Sequence, residues 1–483
     1  MHTRSATRKL EGARAIHALP DELLTRVFEH FQSTRDFGRA DGVCRAWHKD
    51  GSPVEQALRL RIAARGDAVP TAQFRASSTQ QLCWLELLRE ARASSDLVSA
   101  GARYASAAID DDCQVRVFGN IHTLGYGGSE DIFRLSVPTL MTPPHDVGVR
   151  RISVGGHHVL ALTDSGAVLS FGCGRVGQLG HGDHDDQYEP KVIEALHSVC
   201  VVAVAAGMDH SLVLADDGVV LSFGRGGYGK LGHGDALARL EPMPIEALRG
   251  VVCVAAIAAG EAHSLLLTEN GAVFSFGSGD GGRLGHGNQR DRHTPAVIKA
   301  LRSVCVVAIA AGRKHSLVLT DKGAVLSFGN GDDGQLGHGD EPLDKRFQYK
   351  PRVIEALRGV RVLAVAAGGS HSLVLTDGGT VLSFGHGYYG ELGHGDGPLD
   401  KLSYAPRVIE ALCDVRVVAI AAGGGHSMAL TEEGAVRAFG HAACGQLGHP
   451  KQPSYRDVGV DAENAITLVH HNIPAGLRVR PTS

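Results

Sequence analysis

Short apolar segments separated by glycine-rich turns recur from about residue 100 to the end of the chain. One copy contains segments at residues 306–310, 315–320 and 324–328. Each is five or six residues long and rich in side chains that favour strands. An acidic, glycine-containing turn joins the second segment to the third, and glycine supplies the positive φ that a tight hairpin needs. The pattern therefore predicts consecutive antiparallel strands.

The same pattern occurs seven times, at intervals of 52 to 56 residues. A Phe-Gly pair marks each copy, beginning at Phe118, Phe171, Phe223, Phe276, Phe328, Phe384 and Phe439. In the last six copies, a glycine is followed three residues later by a histidine: His158, His210, His263, His315, His371 and His426. The first copy is degenerate, because Tyr104 stands where the histidine is expected.

A fourth segment of the type Pro-x-Val-Ile-Glu-Ala-Leu completes each copy, for example at residues 190–196, 351–357 and 406–412. Its proline is compatible with a strand start or a sheet edge. Seven four-stranded units of about 50 residues are typical of propeller blades and differ from helical repeats in length and periodicity. A WD-type repeat is disfavoured because Trp47 and Trp84 lie outside the copies. We predict an all-β seven-bladed propeller over residues 96–483, preceded by a small all-α module.

The repeated residues also resemble a known family. The copies run Ala-Ala-Gly-x-x-His-Ser-Leu-Val-Leu-Thr, then Val-Leu-Ser-Phe-Gly, then Gly-Gln-Leu-Gly-His-Gly-Asp, and they resemble the repeats of the regulator of chromosome condensation family. The resemblance covers about three-quarters of the chain and implies a propeller that serves as a binding platform and does no chemistry. Many family members have tryptophan before the glycine; phenylalanine here exchanges one core aromatic residue for another.

Twelve histidines occupy two repeat positions. Six are named above, and the others follow Leu-Gly at His181, His233, His286, His338, His394 and His449. One repeat position is distributed around a ring, so these histidines cannot converge on a single metal ion. We expect them to bond backbone groups of turns within their own blade. No Ser-His-Asp set, phosphate loop or metalloprotease motif stands out, and the sequence predicts no catalytic residue, metal site or cofactor.

Composition and charge restrict the partners and the compartment. The 63 glycines are too many for a helical protein, and the net charge of −4 does not favour nucleic acid or an anionic membrane. No secretory leader or membrane-spanning stretch is present, and we expect a soluble cytoplasmic or nuclear protein. Cys200, Cys253 and Cys305 recur seven residues before the glycine of an Ala-Ala-Gly motif, which predicts thiols packed in strands.

Two neighbouring copies carry longer loops before the fourth segment. The distance from the Leu-Gly-His-Gly turn to the next proline is seven residues in three copies, but eleven and ten in the fifth and sixth. Both loops contain Pro-Leu-Asp-Lys followed by aromatic residues, and loops at equivalent positions emerge on one face. The predicted partner-binding residues are Pro342, Leu343, Asp344, Lys345 and Phe347 in one loop and Pro398, Leu399, Asp400, Lys401 and Tyr404 in the other. The alternative is a duplicated surface loop with no binding role.

A different pattern precedes the repeats. Apolar residues recur at helical spacing over residues 18–31, with Pro20 and Asp21 at the helix start. A second helix follows Ser33, and a third opens with the capping box at residues 52–55. Three short helices supply too little core to be stable alone, so this module is expected to need a partner.

The order of Leu19-Pro20, Val43-Cys44-Arg45 and Trp47 resembles the F-box, a helical module that docks on the Skp adaptor of cullin-type ubiquitin ligases. We assign it to residues 16–62, between a disordered basic tail (1–15) and a linker with one helix (63–95). The resemblance implies adaptor contacts by Leu19, Pro20, Leu23, Leu24, Val27, Phe28, Val54 and Leu58. The alternative is a helical cap that packs only on the propeller.

These observations favour a non-catalytic substrate receptor of an Skp-cullin-F-box type ubiquitin ligase, monomeric within its complex. The helical module would bind the adaptor and the propeller an unknown target protein. A second hypothesis is a guanine nucleotide exchange factor for a Ran-like small GTPase, since founding members of the propeller family have that activity. Their wedge-like insertion has no clear counterpart here. A third is a propeller scaffold without a ubiquitin role.

Overall fold

A computed structural model describes residues 97–103, 105–110, 113–120, 134–141, 148–250, 253–339, 346–395, 401–448 and 469–470. These residues form seven four-stranded antiparallel sheets, each from four consecutive strands. The predicted seven-bladed propeller is confirmed. The tail, the predicted helical module and its eight adaptor-contact residues lie outside the described residues.

The blades are numbered in chain order, and the first strand of each packs on the first strands of its neighbours around the ring axis. Blade 1 contains β1 (Val98–Ala100), β2 (Ala105–Ile109), β3 (Val115–Asn120) and β4 (Arg134–Met141). Blade 2 contains β5 (Val149–Val154), β6 (His158–Thr163), β7 (Val168–Gly172) and β8 (Gln187–Val192). Blade 3 contains β9 (Val201–Ala206), β10 (His210–Ala215), β11 (Val220–Gly224) and β12 (Arg239–Pro244).

The remaining four blades have the same strand order. Blade 4 contains β13 (Val254–Ala259), β14 (His263–Thr268), β15 (Val273–Gly277) and β16 (Arg292–Val297). Blade 5 contains β17 (Val306–Ala311), β18 (His315–Thr320), β19 (Val325–Gly329) and β20 (Gln348–Val353). Blade 6 contains β21 (Val362–Ala367), β22 (His371–Thr376), β23 (Val381–His386) and β24 (Leu402–Val408). Blade 7 contains β25 (Val417–Ala422), β26 (His426–Thr431), β27 (Val436–Gly440) and β28 (Val469–His470).

In blades 2 to 6 the fourth segment is a strand followed by a turn of helix, and not the single strand that the sequence predicted. In blade 5 the strand begins at Gln348, three residues before Pro351, and the Glu-Ala-Leu sequence forms a 3-10 helix, Glu355–Leu357. The proline is accommodated because β20 is the outer edge strand of its sheet. The other 3-10 helices of the described ranges are Glu194–Leu196, Gly227–Gly229, Glu246–Leu248, Asp280–Gly282, Lys299–Leu301 and Glu410–Leu412.

The core lies between blades. Every residue of the second strand is buried in blades 1 to 7, so these strands lack the alternation of a half-exposed sheet. The Phe-Gly phenylalanines are at most 2% exposed. Phe223 of blade 3 packs in one apolar cluster with Leu160 and Leu162 of blade 2, and the other seams repeat this arrangement. The predicted role of these phenylalanines as core residues is confirmed.

The ring closes between blade 7 and blade 1 by the same kind of packing. Val98, Ala108 and Phe118 of blade 1 share an apolar cluster with Met428 and Leu430 of blade 7. Among the described strands none is exchanged between the two blades, because β1 belongs to the first sheet and β28 pairs with β27 in the last. Closure therefore depends on side-chain packing and on the hydrogen bonds described next.

Candidate protein-binding face

One face of the ring carries the loops that vary most from blade to blade. The loop between first and second strands and the loop after the third strand emerge on this side, which we call the loop face. The opposite side carries tight hairpins, such as the one around Gly323 (φ 75°), as the sequence predicted.

In blades 2 to 7, a backbone hydrogen bond links the first loop of the blade to that of the next. Arg313 N donates to Gly368 O (3.1 Å), Gly369 N to Gly423 O (2.9 Å), and Gly424 N crosses the closing seam to Gly101 O (3.0 Å). Gly156, Met208 and Glu261 make the equivalent bonds. This belt holds the centre of the loop face in a fixed geometry.

Histidine–serine pairs fasten the blades beneath the belt. The Nε2 atom of each histidine at the start of a second strand lies 2.8–3.0 Å from a serine Oγ in the following blade. The pairs are His158 with Ser211, His210 with Ser264, His263 with Ser316, His315 with Ser372, His371 with Ser427 and His426 with Ser106. The prediction that these histidines bond turn backbone within their own blade is wrong, because the short serine of the next blade lies nearer.

The serines fix the histidine tautomer. Ser372 Oγ donates to Gln335 O at 2.8 Å, so it must accept from His315 Nε2–H, and the other five serines make equivalent bonds. The Nδ1 atoms of all six histidines are buried without a hydrogen-bond partner. Burial lowers the pKa of His158, His315 and His426 to about 3 and that of His371 to about 4. These imidazoles are therefore neutral structural groups.

The seam between blades 1 and 2 is the exception. Ala105, and not Tyr104, occupies the histidine position of blade 1, because Ala105 pairs with Gly119 as His158 pairs with Gly172. Val159 occupies the corresponding serine position of blade 2. Both partners are thus replaced by apolar residues at this seam, and neither polar group is left buried alone.

The histidines of the Leu-Gly-His turns form hydrogen bonds within their own blade, as predicted, but the partner is a serine side chain in place of the expected turn backbone. His181, His233, His286, His338 and His394 place Nε2 2.8–3.0 Å from the serine of Val-Leu-Ser-Phe or its equivalent. That serine in turn donates to the leucine carbonyl of the turn, as Ser327 does to Leu336 O. His449 lies outside the described residues.

A cavity of about 540 Å³ opens on the loop face at the ring axis. Its floor is formed by alanines and glycines at the ends of the first strands. Its polar wall includes Arg103, Glu261, Arg313, Asp333, Ser370 and His386, with Tyr389 and Glu391 beside them. A second cavity of about 250 Å³ shares Arg313, Asp333 and Ser370 with it.

Aromatic rings gather beside this cavity in blades 6 and 7. The ring of His386 lies 4.9 Å from Tyr388 and 5.7 Å from Tyr389, and Tyr389 meets His441 edge-on at 4.9 Å. Both tyrosines are more than half exposed. Beneath them, the buried Glu391 carboxylate pairs with His386 Nδ1 and accepts from Tyr389 N at 2.8 Å. Exposed rings on a rigid support are typical of protein-binding surfaces.

Burial alone would lower the pKa of His386, but two neighbours outweigh it. The hydrogen bond and charge of Glu391, with a smaller contribution from Asp333, raise the pKa of His386 above its usual value. The pKa of His386 is therefore shifted towards the charged form, in contrast to those of the six interblade histidines, which burial lowers.

Three of the predicted loop residues are described. Phe347 stacks on Tyr349 at 6.4 Å, Lys401 Nζ lies 5.5 Å from the Tyr388 ring, and Arg346 lies over the ring of Tyr404 at 4.9 Å. The last contact joins blade 5 to blade 6, so the ends of the two loops meet. Pro342, Leu343, Asp344, Lys345, Pro398, Leu399 and Asp400 lie outside the described residues.

Sequence reasoning missed Asp333, Tyr388 and Tyr389. They occupy two positions after the third strand that read Arg-Val, Gly-Tyr, Asp-Gly, Asp-Asp, Tyr-Tyr and Ala-Cys in blades 2 to 7. The glycine before them is replaced only in blade 7, by Ala442, and the glycine after them is kept in all six blades. That contrast between fixed glycines and changing neighbours was a usable signal.

The three recurrent cysteines are not packed in strands, and that prediction is wrong. Cys200 and Cys253 are exposed and Cys305 is half-buried, because each stands one residue before its first strand begins. In the described ranges no histidines, cysteines and carboxylates are grouped to hold a metal ion. None of the helices described there has the length and apolar character of a bilayer span.

Comparison with known proteins identifies two kinds of domain. A family model described as an RCC1-like domain matches residues 88–355, and models of the regulator of chromosome condensation (RCC1) repeat match 378–430 and, separately, 362–391 and 417–446. An F-box-like model matches residues 16–49. Both resemblances noted in the sequence are confirmed.

Relatives of known name share the propeller. Human E3 ubiquitin-protein ligase HERC2 is 38% identical over 310 residues, which are 63% of this chain but only 6% of HERC2. Ultraviolet-B receptor UVR8 of Arabidopsis thaliana is 35% identical over 315 residues, 65% of this chain and 69% of UVR8. The crystal structure of human WBSCR16 superposes with a TM-score of 0.60 at 25% identity, covering 69% of this chain and 90% of that one.

Proposed function

The chain belongs to the RCC1-like domain family, and on that premise we propose that it is the substrate receptor of an Skp-cullin-F-box type ubiquitin ligase. The F-box-like segment binds the Skp-type adaptor, and through it the cullin. The loop face of the propeller binds the target protein. The chain contributes binding and positioning, and the transfer of ubiquitin is carried out by the other subunits.

The combination of two domains in one chain carries this proposal. An F-box-like match at residues 16–49 implies an Skp-type adaptor partner, and the propeller that follows supplies a second, independent binding surface. The propeller alone would not assign the role, since relatives that share it are named as a ubiquitin ligase and as a light receptor.

The loop face supports the target-binding half of the proposal. Its central belt and interblade pairs hold the exposed tyrosine rings of blade 6, and the His441 ring of blade 7 beside them, on a rigid frame. Rigid aromatic residues beside charged groups give contact area at a small cost in conformational entropy.

Affinity capture of the tagged full-length chain tests the adaptor half. We expect an Skp-type adaptor and a cullin in the captured complex, and their loss when Leu19→Asp and Leu23→Asp place charges on the predicted adaptor-facing helix. Leu10→Asp is the matched control, because it makes the same exchange outside the F-box-like match. Recovery of neither subunit, or equal recovery with the double variant, would contradict the proposal.

A nucleotide-exchange assay distinguishes the substrate-receptor function from the alternative, a guanine nucleotide exchange factor. The full-length chain is mixed with a Ran-like GTPase loaded with fluorescent nucleotide, and nucleotide release is followed over time. We expect the rate to equal that of the GTPase alone. Acceleration of release would move the assignment to the exchange-factor class.

A further inference from the structure

We propose that the wall of the central cavity formed by Asp333 and Tyr389 binds an arginine side chain of the target protein. This inference deepens the proposed function by stating what the loop face recognises, and it rests on that function for the target being a ubiquitination substrate. Its evidence is the composition of one wall of the cavity.

Asp333 and Tyr389 line the same cavity from adjacent blades. Asp333 is half-buried, and within the described residues no ion pair involves its carboxylate. Tyr389 is 54% exposed, with a glycine, Gly425, close to its ring. A carboxylate beside an exposed ring is the combination that binds a planar cation, through charge-assisted hydrogen bonds and through the face of the ring.

The basic groups next to Asp333 have acidic partners on the neighbouring blade. Arg313 and Lys314 stand on the same blade as Asp333, but Arg313 pairs with Glu261 at 3.2 Å and Lys314 with Asp280 at 3.7 Å, both on blade 4. Glu391 is paired with His386. Asp280 also pairs with Arg283 at 2.7 Å, so two cations share it, whereas no ion pair within the described residues involves Asp333.

Arg103 is the remaining basic group of the lining, and it belongs to blade 1. Blade 1 is adjacent to neither blade 5 nor blade 6, so Arg103 belongs to a different wall of the cavity from Asp333 and Tyr389.

The chain already places its own cations on the tyrosines next to this wall. Lys401 lies over Tyr388, and Arg346 over Tyr404. Tyr389 is the ring of this group that turns to the cavity, and none of the cation–ring contacts in the described ranges involves it. Arginine is favoured over lysine because its flat guanidinium stacks on a ring and meets a carboxylate in the same plane.

Peptide pools test this inference with the full-length protein. Each immobilised pool has a fixed central residue, arginine, citrulline, lysine or glutamate, between three randomised positions on either side. We expect at least fivefold more protein on the arginine pool than on the citrulline pool, which keeps the shape of the side chain and removes its charge. Equal retention on these two pools, or preference for lysine or glutamate, would overturn the inference.

Variants locate the binding on the protein. Asp333→Asn and Tyr389→Ala are each expected to lower retention on the arginine pool at least fivefold, whereas Tyr389→Phe keeps the ring and retains binding within twofold. Tyr228→Ala is the matched control, because Tyr228 is an equally exposed tyrosine in the corresponding loop of blade 3. Unchanged melting temperatures establish that the variants are folded, and unchanged binding by Asp333→Asn would refute the site.

Adaptor capture with the same variants separates this inference from the proposed function. Asp333→Asn is expected to recover the adaptor normally, and the Leu19→Asp, Leu23→Asp variant to bind the arginine pool normally. Adaptor recovery without arginine preference would reject the inference alone. Arginine preference without adaptor recovery would reject the receptor function and leave the arginine site standing.

Discussion

Each interblade histidine donates to a serine whose own proton is committed to a carbonyl oxygen. This fixes the imidazole in the Nε2–H tautomer. It also disfavours the charged imidazolium, because protonation would place a buried N–H at Nδ1 with no acceptor. The repeated histidine of this ring thus links one blade to the next by a hydrogen bond. Its chemistry matters for stability and not for reaction.

The stability of the propeller should therefore fall on acidification. An unfolded histidine has a pKa near 6.5, whereas His158, His315 and His426 titrate at about 3 when folded, so the unfolded chain binds more protons between these values. Each such histidine is expected to cost about 1.4 kcal/mol of unfolding free energy per pH unit below 6.5. The stabilisation is complete above pH 6.5 and is lost as the pH falls towards 3.

Urea unfolding of the full chain at pH 7.5, 6.0 and 5.0 measures this slope. His315→Gln, which cannot titrate, should show a shallower dependence on pH than the wild type. A midpoint independent of pH over this range would contradict the assignment of neutral buried histidines.

At the scale of the element, the seams between blades set the architecture. Six seams use a histidine–serine pair, and the seam between blades 1 and 2 uses Ala105 and Val159. The ring therefore tolerates an apolar pair or a polar pair at the same place. A histidine or serine facing an apolar residue would be unfavourable, because the buried polar group would have no hydrogen-bond partner.

A double-mutant cycle tests this coupling at the seam between blades 5 and 6. His315→Ala and Ser372→Val are each expected to destabilise the chain, and the double variant by about 1–2 kcal/mol less than their sum. His315→Ala combined with Ser106→Ala, at the distant closing seam, should be additive. Additivity at both pairs would show that the histidine–serine contact contributes nothing specific.

The turn glycines of one blade also leave the space in which the phenylalanine ring of the next blade packs. Gly337 has φ +73°, and a Cβ there would lie 2.9 Å from the Phe384 ring, whereas Gly359 has φ +83° with open space around it. Gly359→Ala should cost about 1 kcal/mol for backbone strain alone. Gly337→Ala should cost clearly more in unfolding free energy measured by urea, since the ring must move; equal costs would contradict this packing.

The strands and the blade count were predictable because the same short pattern recurs seven times. The register of the fourth segment was not, since the Gln-Tyr before the proline recurs in blades 2 and 5 but not in blades 3, 4 and 6, and the Glu-Ala-Leu turn has the composition of a strand end. The hydrogen-bond partner of His315 could not be predicted from the sequence either, because it lies 57 residues away in another blade.

At the scale of the whole molecule, a regular ring presents irregular loops on one face, and an F-box-like segment precedes it. The paired loops were found from their length, whereas Asp333 and Tyr389 were missed because their significance lies in two blades meeting at one cavity. Function in this chain thus follows the departures from the repeat. The proposed receptor role rests on one of these departures, the F-box-like segment.

Direct binding between the purified full-length chain and a purified Skp-type adaptor tests the central claim. Isothermal titration calorimetry should give a one-to-one complex for the wild type and for Leu10→Asp, and no measurable binding for Leu19→Asp with Leu23→Asp. Absence of binding by the wild type, or equal affinity of the double variant, would contradict a receptor role in a cullin-type ligase.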